Sequence, residues 1–144
     1  MNEIAKYSGC FVCGKQNKIG LNAKFFFNNG KAVTEYTTER RFEGYKDIFH
    51  GGITSTLLDE VMIKALLYND IYAVTVELNL RFHKMVSIGQ KLSFVGFLEK
   101  EKGKLYFTRG EVKNENGDIV ATATGKYLRV KGSMKDKLLE SIDG

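Results

Sequence analysis

The amino-acid sequence predicts an α+β fold, in which an antiparallel sheet of five or six strands wraps around one long central helix. Residues 53–68 contain no glycine or proline, and their apolar side chains fall on nearly every side of a helix turning about 100° per residue. A helix of this kind is usually buried. After residue 71 the apolar residues recur at every second position, which is typical of strands with one buried face. Tight turns join these strands and therefore favour antiparallel neighbours.

The size and composition of the chain favour a single domain over residues 1–144. Its hydrophobic content of 43% and charged content of 27% are ordinary for a globular protein. No apolar run approaches the roughly 20 residues of a membrane span, and no signal-peptide core is evident. We therefore expect a cytoplasmic protein that does not enter membranes. The net charge of +5 suits an anionic ligand, but the basic residues form no stripe with aromatics, so nucleic-acid binding is not expected.

The elements before the helix begin with an irregular segment over residues 1–21. Residues 22–28 hold three consecutive phenylalanines and are predicted to form a strand. These phenylalanines are expected to pack in the core and at a dimer contact. The sequence Asn28-Asn29-Gly30 favours a hairpin, because Asn and Gly accept positive φ, and residues 31–38 form the returning strand. A charged connection then leads to the helix, which is expected to end near Asn69.

Four strands are predicted after the helix, over residues 72–83, 90–100, 105–113 and 118–131. In the first of them we expect one buried face, made of Val74, Val76, Leu78, Leu80 and Phe82. Residues 133–144 are expected to form a short amphipathic helix and tail, with Ser133 as the N-cap.

Cys10 and Cys13 have the spacing of metal ligands. A closed zinc site needs about four ligands, however, and the chain has only these two cysteines. A structural disulfide is not expected in a reducing cytoplasm. We therefore predict no cofactor and no metal, and a metal at these cysteines would need histidine ligands or a second subunit.

The chemistry of the chain is expected to centre on Asp59 and on the start of its helix. An ionised carboxylate on a buried helix is costly unless another group pairs with it or a reaction uses it. Two glycines follow His50 where the helix should begin, and free N–H groups there can stabilise a developing negative charge. The alternative is a structural acid, in which Asp59 pairs with a lysine or is capped by Ser55.

The spacing of His50-Gly51-Gly52 and Asp59, with the helix residues 57–62 and the strand residues 75–82, resembles the hot-dog-fold acyl-CoA thioesterases. The subgroup is the one similar to phenylacetyl-CoA and medium-to-long-chain acyl-CoA thioesterases. The opening Cys10–Gly14 is similar to the N-terminal segment of some members. The resemblance implies a hot-dog fold, hydrolysis of fatty or aromatic acyl-CoA without a cofactor, and a homodimer or dimer of dimers with active sites at the subunit boundary.

The resemblance also implies catalytic roles for four residues. Asp59 would be the general base that activates water, or the nucleophile. The Gly51 amide would polarise the thioester carbonyl, and His50 would position the substrate or the turn that binds the carbonyl. Thr75 would orient the attacking water. Substrate contacts are expected from Gly52, Ser55, Ile63 and Leu66, whereas Glu60 is expected to face solvent or an interface.

One position departs from the family pattern. Several relatives carry an asparagine six positions before the histidine, where this chain has Gly44. The departure leaves room for a second hypothesis, a non-catalytic acyl-CoA or fatty-acyl binding protein on the same fold. A third, a hydratase or dehydratase, would use a different arrangement of histidine and acid.

Overall fold

The computed structural model describes residues 1–142 and contains one seven-stranded sheet with a long helix packed against it. The elements in chain order are β1 (Asn2–Glu3), β2 (Phe26–Asn28), β3 (Lys31–Thr37), α1 (Gly51–Tyr68), β4 (Ala73–Phe82), β5 (Lys91–Lys102), β6 (Leu105–Lys113), β7 (Ile119–Arg129) and α2 (Ser133–Ser141). All strand pairs are antiparallel, in the order β1-β2-β3-β5-β6-β7-β4. The predicted α+β hot-dog fold is therefore confirmed.

The sheet has one strand more than the five or six predicted. The additional strand is β1, which pairs with β2 and lies in the segment predicted to be irregular. Two residues are too few to show a periodic pattern, so β1 could not be predicted from local alternation. The strand predicted over residues 22–28 is also shorter, because only Phe26–Asn28 forms ladder pairs with β3.

The central helix is buried as expected. Leu57, Leu58, Val61, Met62 and Leu66 are fully buried. The helix packs mainly against β5, and Gly96 permits the closest approach, because a Cβ at this position would lie 2.7 Å from the Val61 carbonyl oxygen. The absence of a side chain at Gly96 therefore sets how closely the sheet can pack on the helix.

The strand after the helix differs from the prediction. β4 lies at one end of the sheet order and pairs only with β7 among the described strands. Val76 and Phe82, which were expected on a buried face, are 54% and 52% exposed. Alternation identifies which residues share a face, but not whether another element of the same chain covers it. A register shift between Thr75 and Glu77 also breaks the alternation.

The C-terminal helix has the predicted position but not the predicted cap. Ser133 is the first helical residue, and Gly132, with φ of 67°, is the N-cap and offers no side chain. No helix among residues 1–142 is both long and apolar enough to cross a membrane.

We predict that Gly96→Ala lowers the free energy of unfolding by about 1–3 kcal/mol, because the added methyl group would overlap the α1 backbone. Urea denaturation followed by circular dichroism measures this change. Gly9→Ala is the matched control, since no atom lies within 4 Å of a Cβ at position 9. Equal stability of the two variants would contradict the close helix–sheet approach.

Candidate active site

The carboxylate of Asp59 is held by two hydroxyl groups. The Tyr127 hydroxyl donates to Asp59 Oδ1 at 2.8 Å, and the Thr75 hydroxyl donates to the same oxygen at 3.0 Å. No residue between 1 and 142 donates a hydrogen bond to the second oxygen, Oδ2. Because one oxygen is fixed and the other is not, the half-buried carboxylate is oriented and still has an oxygen that can accept a proton or attack a carbon.

Tyr127 is the site residue that the sequence analysis missed. Its side chain is fully buried, and its hydroxyl also lies 3.2 Å from the Asp59 backbone oxygen. Burial, together with the negative charge of Asp59, raises the pKa of Tyr127 above its usual range, so the phenol stays a proton donor. Tyr127 lies directly opposite Thr75 in the β4–β7 ladder, which brings both hydroxyls to one carboxylate. The identity of that cross-strand partner depends on the sheet order, which no local pattern encodes.

The structural alternative for Asp59 does not fit these contacts. Within the described chain no lysine or arginine forms an ion pair with Asp59. The Ser55 hydroxyl donates instead to the Gly51 carbonyl at 2.9 Å. The hydroxyl donors orient the carboxylate without placing a positive charge beside it.

The start of α1 presents a free backbone donor. His50 is the N-cap, with extended φ and ψ, and its Nδ1 accepts the Gly52 N–H at 2.8 Å. The neighbouring Gly51 N–H has no acceptor within residues 1–142, and Gly51 is exposed. The helix dipole adds partial positive charge at this end. His50 therefore orders the turn, and the Gly51 N–H is left able to donate a hydrogen bond.

A cavity of about 870 Å³ opens at this end of the helix. Gly52 and Ser55, two of the residues predicted to contact substrate, lie in its wall. Leu66 does not line this cavity, because it is fully buried in the core. Ile63 is also outside this cavity, one helical turn beyond Asp59. Helical position alone did not distinguish the side of α1 that packs on the sheet from the side that faces the cavity.

Asp59 and Gly51 do not meet within one chain. They are eight positions apart on α1, which corresponds to about 12 Å at the usual rise per residue. Neither Asp59 nor Thr75 lines the cavity beside Gly51. A single thioester carbonyl cannot contact both groups of the same protomer.

Gly44 lies against His50, where a Cβ would be 3.3 Å from the His50 Cα. The position at which several relatives carry an asparagine therefore adjoins the helix start, but here it supplies no side chain.

Glu60 occupies a different environment from the one expected. Its side chain is only 13% exposed and lies 3.6 Å from the Lys64 ammonium. The Cys13 and Cys10 thiols donate to its Oε2 at 3.6 Å and 3.8 Å. Burial raises the pKa of Glu60 to about 7, although Lys64 opposes the shift. Its expected exposure is wrong, because the N-terminal segment folds over this side of α1.

Comparison with known proteins gives concordant results. Residues 47–121 match a family model described as the thioesterase superfamily. Acyl-coenzyme A thioesterase 13 of Homo sapiens is 28% identical over 101 residues, which cover 69% of this chain and 67% of that protein. The crystal structure of a thioesterase superfamily protein superposes with a TM-score of 0.79 at 21% identity, over 84% of this chain and 60% of that one. A hypothetical thioesterase from Streptococcus pneumoniae TIGR4, solved with coenzyme A, superposes with a TM-score of 0.71 at 18% identity, over 76% of this chain and 86% of that one.

We predict that His50→Ala lowers the free energy of unfolding by roughly 1 kcal/mol, because the Gly52 N–H loses its capping acceptor. His50→Asn should retain most of this stability, since Asn is a good N-cap. Thermal melts of both variants provide the measurement, with His83→Ala as the control for loss of an exposed histidine. A loss in His83→Ala as large as in His50→Ala would argue against the capping role.

Proposed function

The chain belongs to the thioesterase superfamily, and we propose that it hydrolyses the thioester bond of an acyl-CoA, with Asp59 as the general base or the nucleophile. The observation that carries this proposal is the environment of Asp59, in which two hydroxyls fix one carboxylate oxygen and no lysine or arginine among residues 1–142 pairs with it. The net charge of +5 favours the polyanionic CoA group. We further propose that residues 1–144 act as one domain. A cytoplasmic location stays a prediction from the sequence.

The base-catalysed reaction assigns a step to each group. Asp59 Oδ2 takes a proton from a water molecule whose oxygen attacks the thioester carbonyl carbon. The carbonyl oxygen gains negative charge and is stabilised by a Gly51 N–H at a helix start. The carbon–sulfur bond then breaks, the CoA sulfur takes a proton, and a carboxylic acid is released. If Asp59 is instead the nucleophile, the same oxygen attacks the carbon, the carbon–sulfur bond breaks and CoA leaves as a thiolate that takes a proton, and water then hydrolyses the resulting anhydride.

The Thr75 hydroxyl can also form a hydrogen bond with the attacking water. Its hydroxyl donates to Asp59 Oδ1, and a hydroxyl retains two lone pairs while it donates. A water bonded to Asp59 Oδ2 can therefore also donate to Thr75. This geometry supports the orienting role that the family resemblance implies.

Because Asp59 and Gly51 of one chain lie too far apart to contact the same carbonyl, we propose a homodimer that shares the active site. Thr75, near one end of β4, contacts Asp59, whereas Phe82, at the other end, lies beside Gly51. A two-fold axis through the middle of β4 would place each end of this strand opposite the other end in the partner. Asp59 would then face Gly51 of the partner subunit. The half-exposed side chains on β4 are the apolar surface that such a contact would cover. A dimer of dimers is the larger assembly that we propose.

The second candidate is a non-catalytic acyl-CoA binding protein. The observation that favours it is Gly44, which leaves the surroundings of His50 without the amide side chain present in several relatives. Such a protein would keep the cavity beside the helix start and would bind the thioester without hydrolysing it.

We predict that Asp59→Asn keeps the fold and lowers kcat for thioester hydrolysis by about 10²–10⁴. The amide is nearly isosteric and still accepts the Tyr127 and Thr75 hydroxyls, but it cannot act as a base or as an anionic nucleophile. Thiol release from short, medium, long and aromatic acyl-CoAs measures the rate, and the melting temperature of the same samples reports the fold.

Two tyrosine variants test whether the hydrogen bond to Asp59 contributes to hydrolysis. Tyr127→Phe removes a hydrogen bond to a charged group and should lower kcat by roughly tenfold or more. Tyr106→Phe, another buried tyrosine, whose hydroxyl contacts Arg129, is the matched control and should stay active. Full hydrolysis by Asp59→Asn would contradict the catalytic assignment. A wild-type protein that binds acyl-CoA but hydrolyses none would establish the binding-protein alternative.

We predict that Val76→Lys converts the dimer to a monomer of 16.3 kDa and abolishes hydrolysis, because charges placed on the β4 edge oppose pairing. Light scattering at micromolar concentration measures the mass. Leu139→Lys, a similar change on the exposed face of α2, should leave both the mass and the rate unchanged. A monomeric variant that still hydrolyses acyl-CoA would refute the proposal that the active site is formed by two subunits.

A further inference from the structure

Three side chains that can bind a metal converge on the side of α1 that faces the N-terminal segment. The sulfur atoms of Cys10 and Cys13 and an oxygen of Glu60 all lie within 4.8 Å of one another. The sulfur-to-oxygen distances are 3.8 Å and 3.6 Å. With zinc–sulfur bonds of about 2.3 Å and zinc–oxygen bonds of about 2.0–2.2 Å, a tetrahedral ion separates its ligand atoms by about 3.5–3.8 Å. We propose that Cys10, Cys13 and Glu60 bind a zinc ion, which ties the N-terminal segment to α1.

The backbone around the cysteines is arranged for two metal-binding sulfurs. The Val12 and Cys13 N–H groups point at Cys10 Sγ, at 3.3 Å and 3.5 Å, and the Tyr7 N–H points at Cys13 Sγ at 3.5 Å. Such N–H donors orient thiolate ligands and stabilise their negative charge. Both sulfurs contact the same Glu60 oxygen, so the pair converges on a common point.

Gly14 makes this turn possible. Its N–H donates to the Cys10 carbonyl at 2.8 Å, and a Cβ at this position would lie 2.5 Å from both the Cys10 nitrogen and the Ser8 carbonyl oxygen. Any side chain would push the turn open and move the first sulfur away from the second. The sequence Cys-x-x-Cys-Gly is therefore needed for the geometry, not only for the spacing.

The charges at this site balance when a divalent cation is bound. Lys64 is fully buried, and its ammonium contacts the Ala5 carbonyl at 2.5 Å, Cys13 Sγ at 3.3 Å and Glu60 Oε2 at 3.6 Å. The ammonium donates hydrogen bonds to the first two of these groups and forms an ion pair with the carboxylate. Two thiolates and one carboxylate carry three negative charges against this single positive charge. A divalent ion brings the sum to zero, which a buried cluster strongly favours.

The ligand types select the metal. Two thiolates favour zinc over calcium or magnesium, which prefer oxygen ligands only. Three protein ligands leave a fourth tetrahedral position for water. Glu60 follows Asp59 in the helix, so the ion would hold the N-terminal segment on α1 next to the proposed base. Its function would be structural and independent of thioester hydrolysis.

The test is metal binding by the full chain, purified and kept under reducing conditions. We expect about one zinc per chain by elemental analysis, and a thiolate-to-metal charge-transfer band on titration with Co²⁺. Cys10→Ser and Glu60→Gln should weaken zinc binding at least about tenfold in competition with a chelator. Removal of zinc should lower the melting temperature of the wild type but not of these variants. His83→Ala, which removes an exposed donor elsewhere, should bind zinc as the wild type does.

Each opposite result overturns the proposal. Wild-type protein without zinc and without the cobalt band would show that the cluster is only a charge network around Lys64. Zinc retained equally by Cys10→Ser and Glu60→Gln would place the ion elsewhere. A mass lower by two hydrogens, with no zinc bound after reduction, would identify Cys10 and Cys13 as a redox pair instead. Because Cys13 is buried and its replacement can unfold the chain, the test relies on the partly exposed Cys10 and on the near-isosteric change at Glu60.

Discussion

The close packing of α1 on the sheet is the constraint on which the rest of the structure depends. Burying a leucine or methionine side chain contributes about 1.5–3 kcal/mol, and α1 buries such residues along most of its length. Gly96 lets the β5 backbone approach the helix directly. Once the helix is fixed in this way, its N-terminus and its polar residues have fixed positions relative to every strand, and the two candidate sites follow from that placement.

Two neighbouring acidic side chains on this helix lie in different environments. Asp59 and Glu60 are about 100° apart around the helix axis, so they cannot face the same surroundings. Asp59 points to β4 and β7, where the hydroxyls of Thr75 and Tyr127 orient the carboxylate without placing a positive charge beside it. Glu60 points to the N-terminal segment, where sulfur and Lys64 surround it. The same rigid helix thus connects a site suited to hydrolysis with one suited to holding an ion.

One chain alone does not form the complete proposed active site, and the position of β4 at the edge of the sheet suggests how a second chain would complete it. A carboxylate and an oxyanion donor about 12 Å apart on one helix cannot act on one carbonyl. β4 runs beside both groups and leaves apolar side chains partly exposed. A two-fold contact along this strand would cover that surface and complete the site in one step. Assembly and activity are therefore expected to be coupled in this protein.

The sequence by itself determined the features that repeat locally. Periodicity identified the buried helix and the long strands, and the spacing from His50 to Asp59 predicted both the superfamily and the central acid. Tertiary structure alone decided which groups meet. Tyr127 reaches Asp59 because β7 pairs with β4, Lys64 reaches Cys13 in the N-terminal segment, and Leu66 turns away from the cavity. Periodicity is a property of neighbouring residues, whereas these contacts join residues 50 or more positions apart or depend on which side of a helix the sheet covers.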